Sequence, residues 1–318
     1  MSDIGRARDV IAPVLSITPT FSSTRLGHQI GARLHHKAEL LQKTGSFKPR
    51  GALNRVHNMP EAELQRGVIA VSGGNHAQGI AFAAARADVP CLVVMPEDVA
   101  PVKAAATREY GAEVVLHGDV NDAYRKVEEL RHERGMTFVH PFDDEHIIAG
   151  QGTVGLEIAN QVPDVTVVVV PVGGGGLIAG IATVIKERLG SSVRVIGVEP
   201  VGADPMRVSR AAGQPVRLEE VDSLVLSLAA PMVGVTTFEI AQRYVDDIVT
   251  VTRQEIRTGL RALMTAAKLC AEPGGAAATA ALLAGKVELS PDDVVVSVVS
   301  GGNTDWDELG RFIRGEGF

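Results

Sequence analysis

Short apolar runs rich in valine recur along the chain, at Val68–Val71, Cys91–Met95, Glu113–Leu116, 137–140, 165–172, 193–198 and Val294–Val299. The strongest of them are continuous rather than alternating, the pattern of strands buried on both faces, and segments of helical character separate them. Strands alternating with helices predict an α/β fold of open, mostly parallel sheets flanked by helices, with ligands bound beyond the carboxyl ends of the strands. Every strand-to-helix loop is therefore a candidate site. The uncharged stretch 165–185 is long enough to suggest a membrane span, but Pro171 and the glycines Gly173 to Gly176 interrupt it. A strand, a glycine loop and a helix over 177–189 account for it better.

Length adds a division. At 318 residues the chain exceeds the usual single domain. The βα units predict a large domain, residues 1–66 and 144–318, and a small mobile domain, residues 67–143. Hydrophobic residues make up 45% and charged residues 22%, the balance of an ordered globular protein. A net charge of −7 with no run of Lys or Arg argues against nucleic acid or a membrane as partner and leaves small molecules. Cys91 and Cys270, the only cysteines, fall in apolar or helical-looking sequence and predict two buried thiols in a reducing compartment. Residues 1–10 mix Asp3 with Arg6 and Arg8 and lack the apolar core of a signal peptide, which predicts a cytoplasmic protein.

Three loops and one lysine carry candidate chemistry. Lys48 stands where an extended run ending near Leu40 gives way to a helix beginning near Phe47, with Ser46 as a natural N-cap and Pro49 tolerated in the first turn. An ammonium there faces the positive end of the helix dipole, which favours the neutral amine and suits Schiff-base chemistry. A solvated lysine at a helix start is the plainer reading of this motif taken alone. Ser72, Gly73, Gly74, Asn75 and His76 follow Val68–Val71 and open an alanine-rich helix running to about Ala87, so their backbone amides suit a carboxylate or phosphate. An N-cap role for Asn75 and a first-turn role for His76 explain those two equally well. Gly173, Gly174, Gly175, Gly176 and Leu177 follow the most hydrophobic strand and precede a helix. Glycine weakens both elements, so a tetrad here marks close approach of backbone to an anion more than a plain turn. Ser300, Gly301, Gly302 and Asn303 end the strand Val294–Val299 and would bring a hydroxyl into the same crevice, although Ser-Gly-Gly alone is usually a turn.

With these loops in this order, the chain resembles the serine and threonine dehydratase group of fold-type II pyridoxal-phosphate enzymes, a tryptophan synthase β-like fold shared with serine racemase. The likeness runs nearly end to end, through His140-Pro141, Ala149 to Thr153, Val198-Glu199-Pro200 and Glu272 to Ala276. It implies pyridoxal 5'-phosphate joined to the Lys48 amine, with Gly173 to Leu177 at the phosphate, Asn75 at the ring hydroxyl and Ser300 at the ring nitrogen. Phe47 and Glu272 are implied to line the cofactor as well. A serine at the ring nitrogen does not favour its protonation, which weakens the electron sink and suits elimination of a group on Cβ. The implied activity is that of a lyase acting on L-threonine, L-serine or a related hydroxy amino acid, losing water and then ammonia to leave a 2-oxo acid. In that reaction Ser72, Gly73, Gly74, Asn75 and His76 would grip the substrate carboxylate and Lys48 would take the Cα proton. A homodimer is implied by the same resemblance.

Four departures matter. Gly73 stands where serine racemase resembles a chain with a second serine, an acid–base group, so dehydration is expected to exceed racemisation. The family's divalent-cation site would use Glu199 and Ala203 with a carboxylate two residues on, where this chain has Pro205, and this argues against a cation. Asp222-Ser223 replaces the more usual Asp-Gly in the pocket wall, and with Phe318 the last residue, feedback control through a C-terminal regulatory domain like that of biosynthetic threonine dehydratases is not expected. A racemase of the same family is one alternative. A NAD-dependent oxidoreductase is another, suggested by Gly174, Gly176, Ala179 and Glu199, but it leaves Thr44 to Lys48 and Ser72 to His76 unexplained.

Overall fold

The computed structural model describes residues 1–316. Its strands are β1 Thr20–Ser22, β2 Arg33–Ala38, β3 Val68–Val71, β4 Cys91–Met95, β5 Glu113–Leu116, β6 Thr137–Phe138, β7 Val167–Pro171, β8 Arg194–Pro200, β9 Asp247–Val251 and β10 Val294–Val299. Six form one sheet in the order β1-β2-β10-β7-β8-β9, and four form a second in the order β5-β4-β3-β6. Every pairing is parallel except that of β1 with β2. The expected architecture of two open, mostly parallel sheets flanked by helices is what the chain adopts.

Valine explains the centre of the larger sheet. β7 and β10 are buried at every position. Val167 and Val169 pack on one side with Ala277, Ala280 and Ala281, while Val168 and Val170 pack on the other with Ile178 and Ile181. Each such side chain stabilises the fold by roughly 1.5 kcal/mol or more, and a strand covered on both faces leaves no room for polar alternation. The polar and catalytic-looking residues are therefore forced to the strand ends. The loops after β2, β3, β6, β7 and β10 all carry candidates, as the parallel topology requires.

Two strands carry no strong sequence signal. β1 is three residues long, and β9 is a short, partly exposed edge strand with which only β8 pairs. The cysteines also differ from expectation. Cys91 on β4 is partly buried, its thiol pushed up to about 12 by desolvation, whereas Cys270 is exposed. Cys270 follows a π-helical turn and a left-handed Lys268, which swing the chain outward. Among the described residues, no helix is long and apolar enough to cross a membrane.

His36 on β2 is fully buried, edge-on to Phe21, and neither ring nitrogen has a partner among the described residues. Burial holds its pKa down to about 4. A base whose folded pKa lies below its unfolded value has its full native stability above about pH 6.5 and loses it as pH falls toward 4, here by up to about 3 kcal/mol. His36→Leu is expected to melt close to wild type at neutral pH and roughly 5 °C above it near pH 5. Melting curves that fall in parallel with pH for the two proteins would contradict this.

Candidate active site

After β2 the chain turns at Thr44 and Gly45, both with positive φ, and Ser46 then runs extended and bridges Gly301. The helix Lys48–His57 begins immediately, with Phe47 in the cap position. Phe47 is already helical, and the extended Ser46 accepts from the Lys48 N–H through its hydroxyl at 3.4 Å, so Ser46 caps the first turn as expected while its backbone bridges Gly301. Phe47 N donates to Ser300 O at 3.2 Å and Gly302 N to Gly45 O at 2.9 Å, which stitches this loop to the end of β10.

The helix start is anchored by buried charge. Arg50 forks onto Glu39 at 2.7 and 2.8 Å and onto Glu157 at 2.7 and 3.0 Å. Lys37 joins the cluster through Glu157 and donates to Thr18 O at 2.7 Å and Gln161 at 3.0 Å. Removing one member of such a cluster typically costs about 3–5 kcal/mol, because its partner stays buried and unpaired. Two residues from Arg50, Lys48 inherits that fixed backbone.

The Lys48 amine has a different environment. Nζ donates to Pro141 O at 2.8 Å and stands 5.2 Å from the centre of the Phe47 ring. Burial lowers its pKa to about 8, partly offset by the nearby Glu272 carboxyl. Glu272 is itself pushed up to about 7 by burial, against the stabilising N–H of Asn75 at 2.7 Å. An amine of this kind is substantially neutral near pH 8 and available as a nucleophile or base.

Asn75 is the first residue of the helix Asn75–Arg86, capped by Gly74 without a side-chain bond, so the amide of Asn75 is not spent on capping. His76 is turned away. Its Nε2 donates to Val139 O at 3.1 Å, and burial together with the Lys48 charge holds its pKa down to about 3. The neutral imidazole is thus committed to Val139 O and not to the loop. Ser72 likewise uses its hydroxyl locally, accepting from Gly74 N at 3.2 Å.

Beyond β7, Gly175 has φ of 97° and the helix Gly176–Leu189 starts without a side-chain cap, although Gly176 and Leu177 are buried. A buried helix terminus with free N–H groups calls for an anion, which fits a phosphate. A Cβ on Gly174 would overlap the Phe142 ring, and one on Gly176 would lie 3.0 Å from Phe142 O. Pro141 and Phe142 thus touch both the Lys48 amine and the glycine loop, and bring them together. Asp143 supports this contact by accepting from Val235 N at 3.0 Å and Thr237 N at 3.2 Å, while Thr237 Oγ1 donates to Gly174 O at 2.8 Å. Ser300 is buried at the end of β10, and a Cβ on the adjacent Gly301 would lie 2.8 Å from Glu272 and 3.1 Å from Asn75. Lys48, Asn75, Glu272, Ser300 and the tetraglycine loop therefore converge, and an amine, an anion cradle and ring-sized polar contacts fit pyridoxal phosphate. Phe142, Asp143 and Thr237 escaped sequence reasoning, since no spacing or motif marks them.

Glu199 and Ala203 are arranged otherwise. Both carboxylate oxygens of Glu199 accept backbone N–H groups, from Met206 at 2.8 Å and Arg207 at 2.9 Å. They cap the helix Pro205–Ala212, and Met206 in turn packs on the Gly175 side of the cradle. The carboxyl, raised to about 8 by burial, is committed to that helix, and Ala203 is an apolar residue buried in the turn.

The Lys48 amine gives a direct test. In cofactor-free protein, reductive methylation of Lys48 followed by mass spectrometry is expected to rise with pH to a midpoint near 8, while exposed lysines titrate near 10.5. A Lys48 midpoint among the exposed lysines would contradict the described environment.

Known proteins match this arrangement over its whole length. The pyridoxal-phosphate dependent enzyme family matches residues 11–301. An L-threonine ammonia-lyase of Thermotoga maritima is 42% identical over 315 residues, covering 99% of this chain and 78% of the relative. Maize serine racemase superposes with a TM-score of 0.92 at 32% identity, covering 99% of this chain and 96% of that one. The processed form of threonine deaminase isoform 2 from Solanum lycopersicum superposes at 0.90 with 34% identity, covering 100% and 94%. On a match of this extent, with an amine and an anion cradle that fit the cofactor, the chain belongs to the pyridoxal-phosphate dependent enzymes.

Proposed function

We propose that this chain is a dehydrating ammonia-lyase that converts L-threonine, and L-serine alongside it, to a 2-oxo acid and ammonia. The observation that carries the reading is the partly buried Lys48 amine, lowered to about 8 and without a salt bridge among the described residues, held by Pro141 O near the tetraglycine loop. Identity of 42% to an L-threonine ammonia-lyase supports the substrate class.

Lys48 would hold pyridoxal phosphate covalently, Gly173 to Leu177 its phosphate, Asn75 its ring hydroxyl and Ser300 its ring nitrogen, with Phe47 and Glu272 in the wall. When bound, the cofactor supplies an electron sink that acidifies the Cα–H of an amino acid. The rest falls to the chain. Backbone amides of Ser72 to His76 bind the substrate carboxylate at the helix terminus. Lys48, neutral once its amine is free, takes the proton from Cα and gives it to the departing β-hydroxyl, which leaves as water. Ser300 is neutral and accepts or donates at the ring nitrogen without forcing a charge there, which favours elimination over reactions that need a stronger sink.

Racemisation is the second reading, favoured by the superposition on maize serine racemase. It requires an acid–base group on the face opposite Lys48, and Gly73 offers none. We also infer that residues 67–143 move as a small domain against 1–66 and 144–318, closing over substrate to exclude water. The four-stranded sheet within that segment, and the Lys103–Glu308 ion pair at 3.2 Å that reaches across to the rest of the chain, support the division. We also propose a cytoplasmic homodimer; the exposed Ile17 and Leu41, which flank the hydrogen-bonded Ser16–Gln42 pair, form apolar surface that would suit a second copy.

Two measurements test the reading. In a keto-acid assay over a panel of hydroxy amino acids, L-threonine is expected to be turned over, and Lys48→Ala to reduce kcat by at least about 10³-fold. Turnover retained in that variant would contradict the role of Lys48. Gly73→Ser is expected to raise D-serine formation relative to pyruvate, since a Cβ there meets the side chains of Val99 at 3.1 Å and Pro96 at 3.8 Å, which a small shift accommodates. Wild-type racemisation at a rate comparable to dehydration would contradict the preference for elimination.

A further inference from the structure

The loop after β10 ends on a side chain that bridges two other elements. Asn303 Nδ2 donates to the Thr44 carbonyl at 2.6 Å and to Asn75 Oδ1 at 2.8 Å. A main-chain carbonyl can only accept, so the atom that faces it is the Asn303 nitrogen. Thr44 has φ of 61°, unusual for a β-branched residue, and a Cβ on Gly45 would overlap Asn303 Oδ1. The turn before Lys48 is thus shaped to present a carbonyl to the Asn303 amide and to leave space for it. Such backbone persists where the surroundings over-determine it.

The consequence falls on Asn75. Asn303 donates into its Oδ1, and its own Nδ2 donates to Glu272 at 2.7 Å. Turning the Asn75 amide over would set oxygen against the Glu272 carboxyl and one NH2 against another, so a single orientation is held. One Nδ2 hydrogen goes to Glu272 and the second remains to be donated. We propose that Asn303 is a positioning residue that fixes Asn75 as an N–H donor toward the cofactor's ring oxygen, an inference that rests on the reading of Lys48 and Asn75 given above. Asn303 acts through Asn75 and, by its bond to Thr44, ties that donor to the loop that carries Lys48.

The test is the dissociation constant for pyridoxal phosphate, by equilibrium dialysis, with the melting temperature of each cofactor-free variant as a check on folding. Asn75→Ala and Asn303→Ala are each expected to weaken binding about tenfold, and the double variant to be no weaker than Asn75→Ala alone. Asn303→Asp keeps the shape but replaces the donor by an acceptor, and is expected to bind more weakly than Asn303→Ala. A role in packing alone gives the opposite order. Unchanged affinity in Asn303→Ala, additive losses in the double variant, or an Asp variant milder than Ala overturns the proposal. Should the Ala variant not fold, unchanged affinity in Asn303→Asp overturns it. Wild-type affinity in Asn75→Ala overturns the reading of Asn75 itself, and the inference with it, which separates the two failures.

Discussion

Taking a lysine out of water is costly, and this fold meets that cost differently at Lys37 and Lys48. Lys37 lies in a cluster with Glu157, Glu39 and Arg50, where opposite charges and carbonyls surround it. Lys48 is partly buried, donates to the Pro141 carbonyl and has one carboxyl nearby, that of Glu272. Desolvation lowers the pKa of both amines, but at Lys37 the Glu39 and Glu157 carboxylates oppose it, whereas at Lys48 the weaker opposition of Glu272 leaves the pKa at about 8 and favours the free amine. Every element near the site serves to hold that amine in place. The Arg50 cluster fixes its helix, the β10 loop fixes the turn before it, and Pro141–Phe142 fixes its distance from the glycine cradle.

The cradle depends on the same economy of backbone. Helices Asn75–Arg86 and Gly176–Leu189 both begin buried and without side-chain caps. Unsatisfied N–H groups in such positions stabilise anions, one suited to a phosphate and the other to a carboxylate. Glu199 contributes from the far side by capping the helix that presses Met206 toward Gly175. Pro205 suits that arrangement, because the first helical turn has no use for its missing N–H. A carboxylate that closes a helix in this way braces the cradle through the chain itself.

Much of this was legible in the residues. Continuous valine runs at β7 and β10 announced strands buried on both faces, and the glycine tetrad and the two Ser-Gly-Gly-Asn loops fall at strand ends, as expected. Edge strand β9 stayed hidden because it is short and only partly buried, and β1 because three residues carry no pattern. Ser46 looked like a helix cap from its type and position, and its hydroxyl does accept from Lys48 N–H, but the bridge of its backbone to Gly301, distant in sequence, could not be read there. His76 looked like an anion ligand, yet Val139 O, which sequence cannot place beside it, takes its donor. Phe142, Asp143 and Thr237 act only through tertiary contact, so nothing short of the fold reveals them.

The central claim is that one ε-nitrogen of this chain carries the cofactor. Borohydride reduction of the holoenzyme, followed by digestion and mass spectrometry, tests it most directly. The account expects a reduced pyridoxyl phosphate adduct on the peptide containing Lys48, at close to one per chain. An adduct on any other lysine, Lys37 included, or none at all, would contradict it.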